Sequence, residues 1–213
     1  MATSLYNSSV FINCPFDDEF ESIRNAIVFA IYDCGFIPRC ALEENNSGNV
    51  RFDKIQRIVA ECKFGVHDIS RTELDAHNNL PRFNMPLELG VFLGAKRYGG
   101  PDQRRKNCLI LDREQYRYQQ FISDVAGQDI RSHDGEPLIA IGLIRAWLSD
   151  ASERRRIPGG RDITRRYQSF CNDFPEICRN ARLDIDEVTF NDFSVFASDW
   201  LRENDAKKEY NAV

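Results

Sequence analysis

Up to about residue 150 the chain alternates short apolar runs with amphipathic stretches, and beyond that point the pattern changes. SVFINC (9–14) is a β-favouring run closed by Pro15. Asp17 and Asp18 then open a helix, since acidic residues are favoured in a first turn. Phe20, Ile23, Ile27, Ala30, Ile31 and Cys34 recur at helical spacing, and Gly35 supplies the stop. FIPRC (36–40) reads as a second strand, with Pro38 pointing to an edge or an irregular position. Polar LEENNSGN (42–49) reads as a loop, and Phe52, Ile55, Ile58, Val59 and Cys62 mark a second helix. KFGVHDIS (63–70) is a third strand running into Asp68. The polar stretch 71–84 has no periodicity, and long loops of that kind in compact domains are usually functional or disordered.

The spacing predicts a third helix from about Pro86 to Lys96, then a fourth strand, NCLILD (107–112). That strand is a continuous apolar run of the sort buried on both sheet faces. A helix over about 114–125, a fifth strand from DIR (129–131) and a helix over PLIAIGLIRAWL (137–148) follow. Strands alternating with helices imply an α/β domain with a mostly parallel five-stranded sheet over residues 1–150. ASERRRIPGG reads as a linker. Helical stretches near 162–182 and 186–203 follow without a strand, so 151–213 is expected as a helical extension docked on the core.

Composition narrows the partners. The chain has 213 residues, 42% hydrophobic and 29% charged, as expected of a soluble domain with a core of its own. A net charge of -5 argues against general nucleic-acid affinity. The opening MATSLYNSSVFINC lacks a basic segment followed by a long apolar one, so no signal peptide is expected. No apolar run reaches the roughly 18 residues of a membrane span. Seven cysteines, odd in number and without a C-x-x-C pair, read as buried reduced thiols of a cytoplasmic protein. With three histidines lacking ligand spacing to a cysteine pair, no metal site is expected.

In a flavodoxin-like strand order, ligands bind at the carboxyl ends of strands 1 and 3, where the order reverses. The segments emptying there are Cys14-Pro15-Phe16-Asp17 and Asp68 to Asn84, and the second leads into NMPLELG and its Glu88. With Met85 as cap and Pro86 as first helical residue, Glu88 would fall at the third position, where a carboxylate steadies a helix start. Gly90 and Gly94 in the same helix each cost about 1 kcal/mol against alanine, which calls for a packing or close-approach reason. A carboxylate on this crevice also suits cleavage of an N-glycosidic bond, because it can stabilise or trap the positive charge that builds on the sugar. Around it, Asn13, Phe16 and Asp17 would line the crevice, with Phe16 stacking on a base or simply packing before the helix. Asp68 would meet a ribose hydroxyl or start a turn, and Arg82 would meet a phosphate or remain a solvated arginine. His67 reads as a packed histidine. Arg154, Arg155, Arg156, Arg161, Arg165 and Arg166 read as a solvated linker face, with an anionic partner as the alternative.

The segment LPRFNMPLELGVFLGAKRYGGPDQRRKNCLIL resembles the bacterial TIR-like domains of anti-phage, nucleotide-signalling effectors. The pattern of Arg, Asn, an apolar residue, Glu-Leu-Gly, an apolar pair and Gly falls on Arg82, Asn84, Leu87, Glu88, Leu89, Gly90, Val91, Phe92 and Gly94. VFINCPFDDEF and YDCGF are similar to the related nucleoside 2-deoxyribosyltransferase-like families. The likeness covers about residues 9–131, and Met85-Pro86-Leu87 departs from the bulky residue without proline that commonly precedes Glu-Leu-Gly. The resemblance implies a flavodoxin-like fold, N-glycosidic cleavage with NAD+ as substrate and no further cofactor, and Glu88 as the catalytic glutamate. It adds Asn84 to the substrate-binding set, puts an assembly loop at 41–50, and implies a homo-oligomer or a partner sensor protein. Two other functions stand beside cleavage: a non-catalytic nucleotide sensor or scaffold of the same fold, and a transferase moving deoxyribose between bases.

Overall fold

A computed structural model describes residues 5–72, 74, 82–152 and 156–211, with side chains described as far as residue 206. Five strands form one parallel sheet: β1 (Ser9–Asn13), β2 (Ile37–Arg39), β3 (Phe64–Asp68), β4 (Asn107–Asp112) and β5 (Arg131–Ser132). Their order, β2-β1-β3-β4-β5, is the flavodoxin-like one. Val10 pairs with Phe64 and Asn13 with His67, so β1 and β3 end side by side. β5 meets β4 only at Leu111–Arg131 and Asp112–Ser132.

The period of two in the strands divides the core. Val10, Ile12, Phe64, Val66, Leu109 and Leu111 face one side, where they join α1 (Glu21–Asp33) and, in chain order after three further helices, α5 (Pro137–Ala151). Those intervening helices are α2 (Arg51–Ala60), α3 (Asn84–Tyr98) and the single turn α4 (Pro101–Arg104). Phe11 faces the other side, against Ile55, Ile58 and Val59 of α2 and Phe92 of α3. Ile110 on that side meets Met85 and Leu89.

The extension forms α6 (Gly160–Ala181) and α7 (Phe190–Asn211). Ile163, Phe170, Phe193, Ala197 and Leu201 lie in the same apolar cluster as α1 and the sheet. Phe29 of α1 stacks on Phe170 with ring centres 5.3 Å apart. Of the basic cluster, Arg166 is buried and bridges Asp33 of α1 (2.9 Å) to Asp205 of α7 (2.7 Å). That arginine joins three helices instead of facing solvent. Arg156, Arg161 and Arg165 are exposed, and Arg154 and Arg155 fall outside the described residues.

The structure corrects three expected elements. Asp17 caps a short 3-10 turn, Asp18–Phe20, by accepting from the Phe20 amide, and α1 begins only at Glu21. The stretch 114–125 holds two 3-10 turns, Arg117–Gln120 and Ser123–Val125, where a helix was expected. Tyr116 takes φ 64°, outside the helical region, so that the Arg117 guanidinium can reach Asp112 inside the fold. β5 is Arg131–Ser132, with Asp129 and Ile130 left out of the ladder.

All seven cysteines are free thiols. Cys14, Cys34, Cys40, Cys62 and Cys178 are buried, Cys108 is half-buried and Cys171 is exposed. No helix of the described residues is long and apolar enough to cross a membrane.

Candidate functional site

A cavity of about 240 Å³ opens at the carboxyl ends of β1 and β3, lined by Cys14, Pro15, Phe16, Asp17, Arg51, Arg82, Asn84, Met85 and Glu88. It sits where the chain, having run outward from β1 to β2, crosses back to β3. The volume lies below the roughly 300–1,000 Å³ of pockets that enclose a drug-sized ligand. A drug-sized molecule bound here would extend beyond it across the open side.

Glu88 is 6% exposed, and its carboxyl makes no hydrogen bond among the described residues. Burial raises its pKa from 4.5 to about 7, with the charge of Arg51 partly offsetting the shift. Its helical position differs from the expected one. Phe83 caps α3 and its carbonyl accepts the first helical bond, from the Leu87 amide at 2.9 Å, so Pro86 is the third helical residue and Glu88 the fifth. Pro86 still forfeits no bond, because the first N–H groups of a helix have no helical partner. Glu88, however, lies past the first turn. Steadying the helix start, or sharing that turn with an anion, is not its role.

The anchor of this helix is Asn13. Its amide nitrogen donates to the Met85 carbonyl at 2.8 Å and meets His67 Nδ1 at 3.1 Å. Asn13 is thus buried behind the cavity and positions the wall that carries Glu88, where the sequence had suggested a lining residue. His67 is fully buried against Phe92, with ring centres 4.8 Å apart, and burial pushes its pKa down to about 3. It is a packed neutral histidine.

Phe16, Asp17, Arg82, Asn84 and Glu88 thus come together on one cavity. Asp17 is held by Arg71 at 3.0 Å, and Arg82 approaches its other oxygen at 3.8 Å. Asp68 is not part of the lining. It is fully buried, accepts the Ser70 amide at 2.9 Å and meets His133 Nε2 at 3.0 Å, which closes the turn after β3 and ties it to the segment after β5. Ser70 Oγ also lies 3.1 Å from His133 Nε2. Ser70, His133 and Asp68 do not form a hydrolytic triad, because both partners meet the same nitrogen. The other, Nδ1, accepts the Gly135 N–H, so Nε2 carries the proton and cannot take one from Ser70.

Sequence reading passed over Arg51 and took Met85, which lines the cavity, as a helix cap. Arg51 enters because β2 lies beside β1, so the chain leaving the 42–49 loop starts α2 at the cavity rim. Cys14, the other polar wall, is kept a thiol: burial raises its pKa well above the ordinary value, and the charges of Asp68 and Glu88 add to the effect. The 41–50 loop is tied down by Arg39 to Glu43 at 2.6 Å, Arg57 to Glu44 at 2.6 Å and the Lys54 ammonium to the Glu44 carbonyl at 2.7 Å.

A larger cavity, about 350 Å³, lies against α5 at the start of β4. Of its polar lining, Trp147 donates to Asn107 at 2.8 Å and Arg131 meets Asp129 at 2.6 Å. Among the described residues, no group of His, Cys, Asp or Glu is placed to hold a metal ion. Comparison with protein-family models, with curated proteins and with solved structures gives no match, so the case for this site rests on its own geometry.

Proposed function

We propose that the protein cleaves the N-glycosidic bond of NAD+ or a related nucleotide, with Glu88 stabilising or trapping the ribosyl cation. The observation that carries this reading is a buried carboxyl that makes no hydrogen bond among the described residues, facing a cavity at the point where the strand order reverses. A carboxylate that only supported the fold would be paired or solvated, since burying a charge without a partner is costly. Here Arg51 offsets part of that cost, and the positive charge that develops in the reaction would offset more.

In NAD+ the nicotinamide ring is already cationic, so the C1′–N bond breaks with both electrons passing to the ring nitrogen and no acid is required. The sugar is left as an oxocarbenium ion. The Glu88 carboxylate either offsets its charge or bonds C1′ as an ester, in the manner of retaining glycosidases. Water then adds at C1′, any ester carboxylate departs with its electron pair, and one proton is released to solvent. Phe16 in the wall supplies a face for the base. The TIR-like resemblance of 80–111 supports the same chemistry and would set it in anti-phage defence.

The test is nicotinamide release by the purified, concentrated protein with NAD+ and a crowding agent. Turnover that disappears in Glu88→Gln is the expected result, and turnover that survives it removes Glu88 from the mechanism. Tight binding of a nucleotide recovered intact would point to a non-catalytic module instead, and product formed only with an acceptor base to a deoxyribosyltransferase.

A further inference from the structure

We infer that the open edge of β4 at Cys108, with the cavity beside it, binds an extended peptide that carries an apolar side chain two residues before a basic one. This goes beyond the reading of the Glu88 cavity and does not depend on it.

Successive residues of a parallel strand turn their backbone groups to opposite sides. In β4 the Asn107 N–H donates to the Lys63 carbonyl at 3.1 Å, and the Leu111 carbonyl accepts the Ile69 N–H at 2.9 Å, so the odd-numbered residues serve β3. Cys108, Ile110 and Asp112 therefore face β5. The Asp112 carbonyl accepts the His133 N–H at 3.1 Å, but the ladder with β5 starts only at Leu111–Arg131. Before Arg131 the chain turns away: Gly127 takes φ 101°, and the Ile130 N–H bonds back to the Gln128 carbonyl at 3.0 Å. The N–H and C=O of Cys108 are left without a hydrogen-bond partner among the described residues, although β4 is an interior strand.

Beside that gap lies the 350 Å³ cavity, lined by Asn107, Cys108 and Leu109 of β4, by Asp129 and Arg131, and by α5. An extended segment is what completes such an edge, since its own backbone supplies the missing donor and acceptor. An antiparallel segment satisfies Cys108 with the single residue opposite it, whereas a parallel one draws on the two residues flanking that position. The short gap therefore favours the antiparallel direction. Residues directly opposite each other share a face. Leu109 packs in the cluster that contains α5, and Asn107 accepts from Trp147 of that helix, so the side chains opposite both point toward α5. The one opposite Leu109 meets Leu143 and Trp147, whose indole N–H is already taken, and an apolar group fits there. Two residues on, the one opposite Asn107 reaches Asp150, one turn beyond Trp147 in α5. Asp150 makes no hydrogen bond or ion pair among the described residues, whereas Asp129 has Arg131 at 2.6 Å. Lys96, whose charge acts on the Cys108 thiol, stands on α3, across the sheet. A lysine or arginine of the peptide is the complement of Asp150.

The experiment is titration of the full chain with the end-capped peptide Thr-Leu-Thr-Lys-Thr, read by calorimetry and by amide hydrogen exchange in NMR spectra. Without peptide the Cys108 amide should exchange freely while that of Leu109 is protected, and saturating peptide should slow Cys108 at least tenfold. Methylating the nitrogen of the central threonine removes the donor opposite Cys108 and should weaken binding by about tenfold or more. Exchanging the leucine and the lysine should also weaken it. Asp150→Asn should cost about threefold with this peptide and nothing with one carrying glutamine in place of lysine. Ala146→Trp puts an indole into the cavity from an exposed position and should abolish binding, with circular dichroism and thermal midpoint unchanged. No binding at millimolar peptide, equal binding of the methylated peptide, a Cys108 amide already protected in the free protein, or binding that survives Ala146→Trp overturns the inference. Protection of Cys108 that grows with protein concentration in the absence of peptide would assign the edge to a second copy and overturn it as well. Nicotinamide release by Ala146→Trp should match wild type, so failure of either reading leaves the other standing.

Discussion

Replacing Glu88 by glutamine keeps the shape of the side chain and removes its proton equilibrium. In the folded protein the carboxyl ionises near 7, against an ordinary 4.5. Between those values the unfolded chain has released this proton and the folded chain still holds it, so stability falls as pH rises through the interval. At about 1.4 kcal/mol per pH unit, the full gap amounts to about 3 kcal/mol lost above pH 7 relative to pH 4.5. Glutamine bears no such cost. Glu88→Gln should therefore be within about 0.5 kcal/mol of wild type at pH 4.5 and more stable by about 3 kcal/mol at pH 8. Urea denaturation of both proteins at half-unit steps of pH measures this difference. His67 titrates in an overlapping window with the opposite sign: burial pushes it down to about 3, so its contribution is lost as pH falls below about 6.5. It is present in both proteins and cancels in the subtraction. A difference that stays flat between pH 4.5 and 8 would mean that Glu88 is solvated or paired, and the argument for the site would fail with it.

Other expectations follow from the same structure. With Glu88 acting as a carboxylate, kcat/KM for nicotinamide release should rise with unit slope to a plateau near pH 7, and a profile falling through that pH would make the protonated form the active one. Gly65→Ala would put a Cβ 2.7 Å from His67 Nε2 and from the Phe92 ring, and thermal denaturation should show a loss of about 1–3 kcal/mol. Gly90→Ala and Gly94→Ala meet nothing within 4 Å, so each should gain stability, by about 1 kcal/mol at most. Arg117→Met leaves Asp112 buried without the guanidinium 2.6 Å away, and chemical denaturation should show a loss of about 3–5 kcal/mol.

How much could be read beforehand depended on the range of the interaction. The β-favouring apolar run of Val10, Phe11 and Ile12 and the spacing of Ile55, Ile58 and Val59 are local, and they located β1 and α2. Phe16, Asp17, Arg82, Asn84 and Glu88 share a cavity because the strand order is the flavodoxin-like one that the sequence reading assumed; alternation of strands and helices does not by itself fix that order. Contacts between distant segments were not legible. Nothing near Asn13 says that its amide reaches the Met85 carbonyl, 72 residues on. The buried pairing of Arg117 with Asp112 and the Ile69 carbonyl is what replaces the expected helix at 114–125 with tight turns. The costly Gly90 and Gly94 suggested close packing, yet among the described residues a Cβ at either would meet nothing within 4 Å beyond its own helix. Arg51 was missed for a related reason: the polar loop before it hid its place beside the end of β1.

The seven thiols give the molecule a set of internal timers. Cys171, exposed on α6, can meet an alkylating reagent without any unfolding. Cys34, Cys40 and Cys62 can do so only when the layers around the sheet part, and Cys178 only when the far end of α6 lifts. Cys14 is buried in the cavity wall, so its labelling reports how often that wall opens. Sequential alkylation of the unmodified chain thus separates breathing of the α/β layers, of the helical extension and of the cavity by mass alone.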